Sequence, residues 1–116
     1  MRNDKKNIIV EKSFDFALQV VLFCELLEEK KKFVIAKQLL KSGTSVGANI
    51  REAQNAESKA DFIHKLKIAA KEVDETEYWL LLCKHAPSYP FKEQLLTDIG
   101  EINRILTKIL STSKKN

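Results

Sequence analysis

The sequence predicts an all-α chain folded as an up-down-up-down antiparallel four-helix bundle. Three observations lead there. Leu, Ala, Lys, Glu and Ile dominate, while Gly and Pro number three and two, too few for the turns of a β-rich chain. Apolar residues recur at three-four spacing in four successive stretches. The links between those stretches are short, which makes consecutive helices antiparallel neighbours. With 116 residues, 44% of them hydrophobic and 31% charged, residues 1–116 form one globular domain. Residues 1–12 read as an N-terminal extension and 111–116 as a frayed C-terminal tail.

Ser13 is the expected cap of the first helix, which runs to about Lys31 with Asp15 in its first turn. Phe14, Phe16, Ala17, Leu18, Val20, Val21, Leu22, Phe23, Cys24, Leu26 and Leu27 go almost all the way round it. A helix apolar on every side needs more than one buried face, so this one argues for self-association.

The second helix should begin near Phe33 or Val34, after the link "EEKKK". A stripe of Ala36, Leu39, Gly43, Val46, Ile50 and Ala53 carries the period straight through "SGTSVG", so both glycines fall inside the helix. Gly43 on the stripe lets a neighbour approach closely, and the pair makes this stretch a candidate for a kink. A phosphate-binding loop would need GxxxxGK[ST] after a strand, a pattern that this stretch lacks.

Ser58 followed by Asp61 gives an S-x-x-D capping arrangement for the third helix. Its stripe is Phe62, Leu66, Ala69, Val73, Thr76, Leu80 and Cys83, and Pro87 bounds it. Pro90 is expected at or near the first position of the last helix, whose stripe is Leu95, Ile99, Ile102, Leu106 and Ile109.

Chemistry-bearing patterns are sparse. A di-metal bundle site would need two Glu-x-x-His motifs, and Asp61-x-x-His64 is the near match, so neither metal nor cofactor is expected. Neither cysteine has a histidine at a recognisable spacing, no catalytic residue stands out, and Cys24 and Cys83 read as reduced core thiols. Ser45, Asn49 and Glu52 form a polar ridge at i, i+4 and i+7, read as an interhelical hydrogen-bond network with Glu75, Glu77 and Tyr78 as possible partners. Net charge is +4, which permits a nucleic-acid partner. Lys37, Lys41, Arg51, Lys59, Lys65, Lys67 and Lys71 are the candidate phosphate contacts, above all if an oligomer repeats them around a ring. The opening "MRNDKKNIIVEK" does not resemble a secretory signal, and no apolar run is long enough to span a bilayer; a cytoplasmic protein without a membrane partner is expected.

The run "LLKSGTSVGANIREAQNAESKADFIHKLKIAAKEVDETEYWL" resembles the four helix bundle protein family, also called the 23S rRNA intervening-sequence protein family. The motifs are "SGTSVGANIREA", "ADFIHKL" and "ETEYW", and the likeness extends from Ser13 to Leu110. The resemblance implies a left-handed up-down bundle assembling into a ring-shaped homopentamer. It also implies a non-enzymatic role. Some members are encoded in rRNA-gene insertions, and a related branch is the accessory protein of diversity-generating retroelements, which associates with reverse transcriptase and nucleic acid. Ser45, Asn49, Glu52, Glu75, Glu77 and Tyr78 match the family pattern, and many relatives carry Pro at the position of Gly47. The function expected is an oligomeric adaptor for the RNA or DNA backbone; the alternative is a protein-protein interaction scaffold without nucleic acid.

Overall fold

The computed structural model describes residues 7–115, and these contain four helices and no strand. The helices are α1 (Ile8–Glu29), α2 (Phe33–Ala53), α3 (Lys59–His85) and α4 (Glu93–Lys115). Connections of three, five and seven residues join them. Links this short reverse the chain at each end. Asn7 before α1 donates to Gln54 after α2 at 2.7 Å, and Lys32 in the first connection donates to Ser88 in the third at 3.1 Å, so alternate connections share an end. Each helix packs against its chain neighbours and α4 closes onto α1, while no Cα pair comes within 8 Å across either diagonal. The centre is filled by side chains, among them Phe16, Phe23, Leu39, Leu66, Leu80, Ile99 and Leu106, all essentially inaccessible.

The second stripe is the best match to expectation. Ala36, Leu39, Gly43, Val46, Ile50 and Ala53 are all buried, and α2 runs without a break through both glycines. A methyl group at Gly43 would lie 2.8 Å from one γ-carbon of Val20, and at Gly47 it would lie 3.1 Å from the carbonyl oxygen of Ser13. The glycines therefore set how closely α1 and α2 approach.

Three boundaries differ from the sequence reading. Ser13 does not cap α1. The helix starts six residues earlier, capped by Asn7, whose side chain accepts from the Val10 N–H at 3.4 Å. Ile9 and Val10 bury against the core and draw the helix back over residues 8–12 of what reads as an extension. Ser13 instead sits buried inside it, its hydroxyl donating to the Val10 carbonyl at 3.2 Å. Residues 1–6 of that expected extension lie outside the described residues.

Pro90 stands three residues before α4 rather than at its first position. The expected fraying at Ser111 is absent, since the helix continues to Lys115; Asn116 lies outside the described residues. Ser58 behaves as expected, accepting from the Asp61 N–H at 3.0 Å.

Candidate functional site

The bundle distributes the seven predicted cations over several surfaces. Arg51, near the end of α2, lines one open groove with Ile8, Glu11, Phe14 and Asp15 of α1 and an adjoining one with Val10, Phe14 and Ala17. Lys65 on α3 donates to Glu52 on α2 at 3.0 Å and is held within the bundle. Lys41 lies close enough to Glu72 to act on its charge. Burial and the neighbouring Glu75 hold the Glu72 carboxyl above the usual range, and Lys41 opposes them. Lys59 and Lys67 share a groove on the α3–α4 side with Lys114 of α4. Lys37 and Lys71 are exposed.

Three cations on α4 complete the picture and were not among the predicted positions. Arg104 and Lys108 line a groove with Asn103, Thr107, Ser111 and Thr112, and Lys114 borders the next one. The signal was present in the sequence, which contains no Asp or Glu after Glu101. Counting charge along α2 and α3 left it out, and the groove that Lys114 shares with Lys59 and Lys67 brings together residues far apart in the chain.

The polar ridge is not the interhelical network that was expected. Ser45 donates to the Lys41 carbonyl at 2.7 Å and Asn49 to the Ser45 carbonyl at 2.9 Å, both within α2. Such back-bonding satisfies a polar side chain one turn down its own helix. Of the ridge, Glu52 crosses to α3, through Lys65. The buried polar link between α2 and α3 is another pair. Thr76 donates to Ser42 at 2.9 Å, with both side chains inaccessible. Tyr78 is exposed and packs edge-on against Trp79 with ring centroids 5.1 Å apart; the buried Trp79 Nε1 has no acceptor among the described residues.

Among the described residues no group of three or more His, Cys, Asp and Glu side chains is placed to hold a metal ion. His64 and His85 are exposed. Burial pushes the Cys24 thiol up to about 12, with Cys83 adding to the effect, and the Cys83 thiol up to about 11. Both are therefore protonated at neutral pH and poor nucleophiles. A disulfide needs Cα atoms within about 7 Å, and no Cα of α1 lies within 8 Å of one in α3.

A family model described as 23S rRNA-intervening sequence protein matches residues 5–108. The chain belongs to the 23S rRNA-intervening sequence protein family. A solved relative agrees with this placement: the crystal structure of a protein of unknown function from the S23 ribosomal protein family of Bacteroides thetaiotaomicron VPI-5482. It is 49% identical, with a TM-score of 0.77, over 89% of this chain and 98% of that one. None of the curated proteins matches the chain. Among the described residues no helix is long and apolar enough to cross a membrane.

Proposed function

We propose that this intervening-sequence protein is a non-enzymatic, cytoplasmic homo-oligomer, a ring-shaped homopentamer, that acts as an adaptor by holding the phosphate backbone of RNA or DNA. The observation that carries the reading is the segregation of its surface. The outward face of α1 exposes Phe14, Leu18 and Leu22 beside acidic residues, whereas Lys59, Lys67, Arg104, Lys108 and Lys114 line grooves on α3 and α4 in which no Asp or Glu takes part among the described residues. An apolar face suits association with other chains, and a cationic one suits a polyanion. Repetition around a ring multiplies weak contacts by avidity when one strand reaches several subunits.

Base reading is not expected, because no row of aromatic side chains accompanies the lysines. Binding should be sequence-independent, with a log-log salt slope of roughly −0.7 to −0.9 for each phosphate contact. Filter binding of unrelated oligonucleotides at two salt concentrations tests this. Absence of binding to RNA and DNA at low salt would favour the second reading, a scaffold that engages a reverse transcriptase or another protein through the apolar face of α1.

A further inference from the structure

We infer that the nucleic-acid backbone docks on the C-terminal half of α4 and the adjoining N-terminal half of α3, with Arg104, Lys108, Lys114, Lys59 and Lys67 as the contacting cations. This rests on the nucleic-acid reading above and assigns it a surface.

Two open grooves define that surface. One, of about 560 Å³, is lined by Asn103, Arg104, Thr107, Lys108, Ser111 and Thr112. The other, of about 570 Å³, is lined by Lys59, Ala60, Ile63, Lys67, Ser113 and Lys114. Among the described residues neither lining contains an Asp or Glu. Cations interspersed with hydroxyls and an amide are the side-chain types that contact phosphates and sugars without reading bases. Ten residues separate Arg104 from Lys114, about 15 Å of helix, which matches roughly four phosphates of one strand at the duplex repeat.

The simpler explanations of these charges do not account for the set. Cations in the last turn of a helix favour its dipole, which explains Lys114; Arg104 and Lys108 lie two to three turns before the end, beyond the reach of that effect. Among the described residues Lys12 pairs with Glu101 at 2.6 Å, Lys65 with Glu52 at 3.0 Å and Lys84 with Glu93 at 3.3 Å, pairs that take in none of Arg104, Lys108, Lys114 and Lys67. Glu101, one turn before Arg104, is held chiefly by Lys12, with Arg104 adding a weaker attraction.

The test compares two charge-reversed triples of equal net charge in the full chain, using a labelled single-stranded RNA and a labelled DNA duplex of about 30 nucleotides. Arg104→Glu with Lys108→Glu and Lys114→Glu should weaken both probes roughly tenfold or more at low salt, and flatten the salt slope by about two units. Lys37→Glu with Lys41→Glu and Arg51→Glu should leave affinity within about threefold of the parent. Light scattering and helicity should be unchanged in both. Should charge reversal reduce helicity, the Gln triple at the same α4 positions should still flatten the slope. Equal weakening by the two triples, or loss confined to the second, would overturn this surface while leaving nucleic-acid binding intact. A parent chain that binds neither probe would overturn both readings.

Discussion

A methyl group added at Gly43 would meet both branches of Val20, at 2.8 and 2.9 Å, where no real side-chain carbon sits so close. Val20 is β-branched and stiff, so it cannot rotate its methyls away freely. Gly43→Ala gains up to about 1 kcal/mol of helix propensity but forces α1 from α2, a cost of about 1 to 3 kcal/mol. The substitution should therefore lower the urea midpoint, and Val20→Ala in the same chain should recover part of the loss by making room. If Gly43→Ala is stabilising, the close approach is not under constraint. Glu72 carries a different residue-scale consequence. Burial and Glu75 raise its folded-state pKa above the ordinary carboxylate value, with Lys41 opposing. Its contribution to stability is therefore complete below the unfolded pKa and is lost as pH rises through the folded one. Glu72→Gln removes that titration. The variant should melt close to the parent at about pH 4 and above it at about pH 7, and a gap of the opposite sign would show that Lys41 governs the site.

The turn out of α1 is an element-scale feature with an unusual residue in it. The Lys31 N–H donates to the Glu28 carbonyl at 2.9 Å and the Lys32 N–H to the Leu27 carbonyl at 2.8 Å, which together make a complete Schellman ending. Its left-handed position, φ 63°, is held by Lys31 where glycine is the usual occupant. Lys31→Gly should raise stability by about 0.5 to 1 kcal/mol in urea unfolding, and Lys31→Val should lower it. No glycine marks this turn in the sequence, yet its place was legible from the charged break between two apolar periods. The same reasoning explains what else could be read. The α2 stripe was recovered in full because a 3.6-residue period survives a glycine. The start of α1 was missed because Ile8, Ile9 and Val10 are β-branched and Ser13 is as good a capping residue as Asn7, and only tertiary burial of Ile9 and Val10 decides between them. The partners of Ser45 and Asn49 were not legible at all. A single-helix pattern places a side chain on a face but does not say whether it turns to the next helix or back to its own carbonyls. Among the α4 cations Lys114 fell within what reads as a frayed tail and Arg104 and Lys108 were passed over; the groove of Lys114 exists only once α3 and α4 are side by side.

At the scale of the whole molecule, the outward stripe of α1 is the feature that a single bundle leaves unexplained. Phe14, Leu18 and Leu22 repeat every fourth residue and are 54%, 48% and 53% exposed, with Val21 beside them. Burial of apolar area is worth roughly 25 cal/mol per Å², so covering this stripe with another chain is strongly favourable. Charge decides how. Glu11, Asp15, Glu25, Glu28 and Glu29 lie on the same helix against Lys12, which Glu101 already holds. A two-fold contact of α1 on α1 would set this acidic helix against itself, whereas a head-to-tail contact places it on a different, less acidic surface of the next copy and closes into a ring. The parent chain should therefore scatter light as several times 13.3 kDa at micromolar concentration, and Leu18→Lys with Leu22→Lys should reduce it to one chain. Mixing distinguishes the two geometries. In a head-to-tail ring the double variant keeps its receiving surface intact, so native mass spectrometry of a mixture should show parent chains docked onto variant ones and the rings broken open. In a two-fold dimer the variant would be excluded, leaving parent dimers and variant monomers. That second pattern would rule out the ring, and a parent chain that stays at 13.3 kDa would rule out association through α1 altogether.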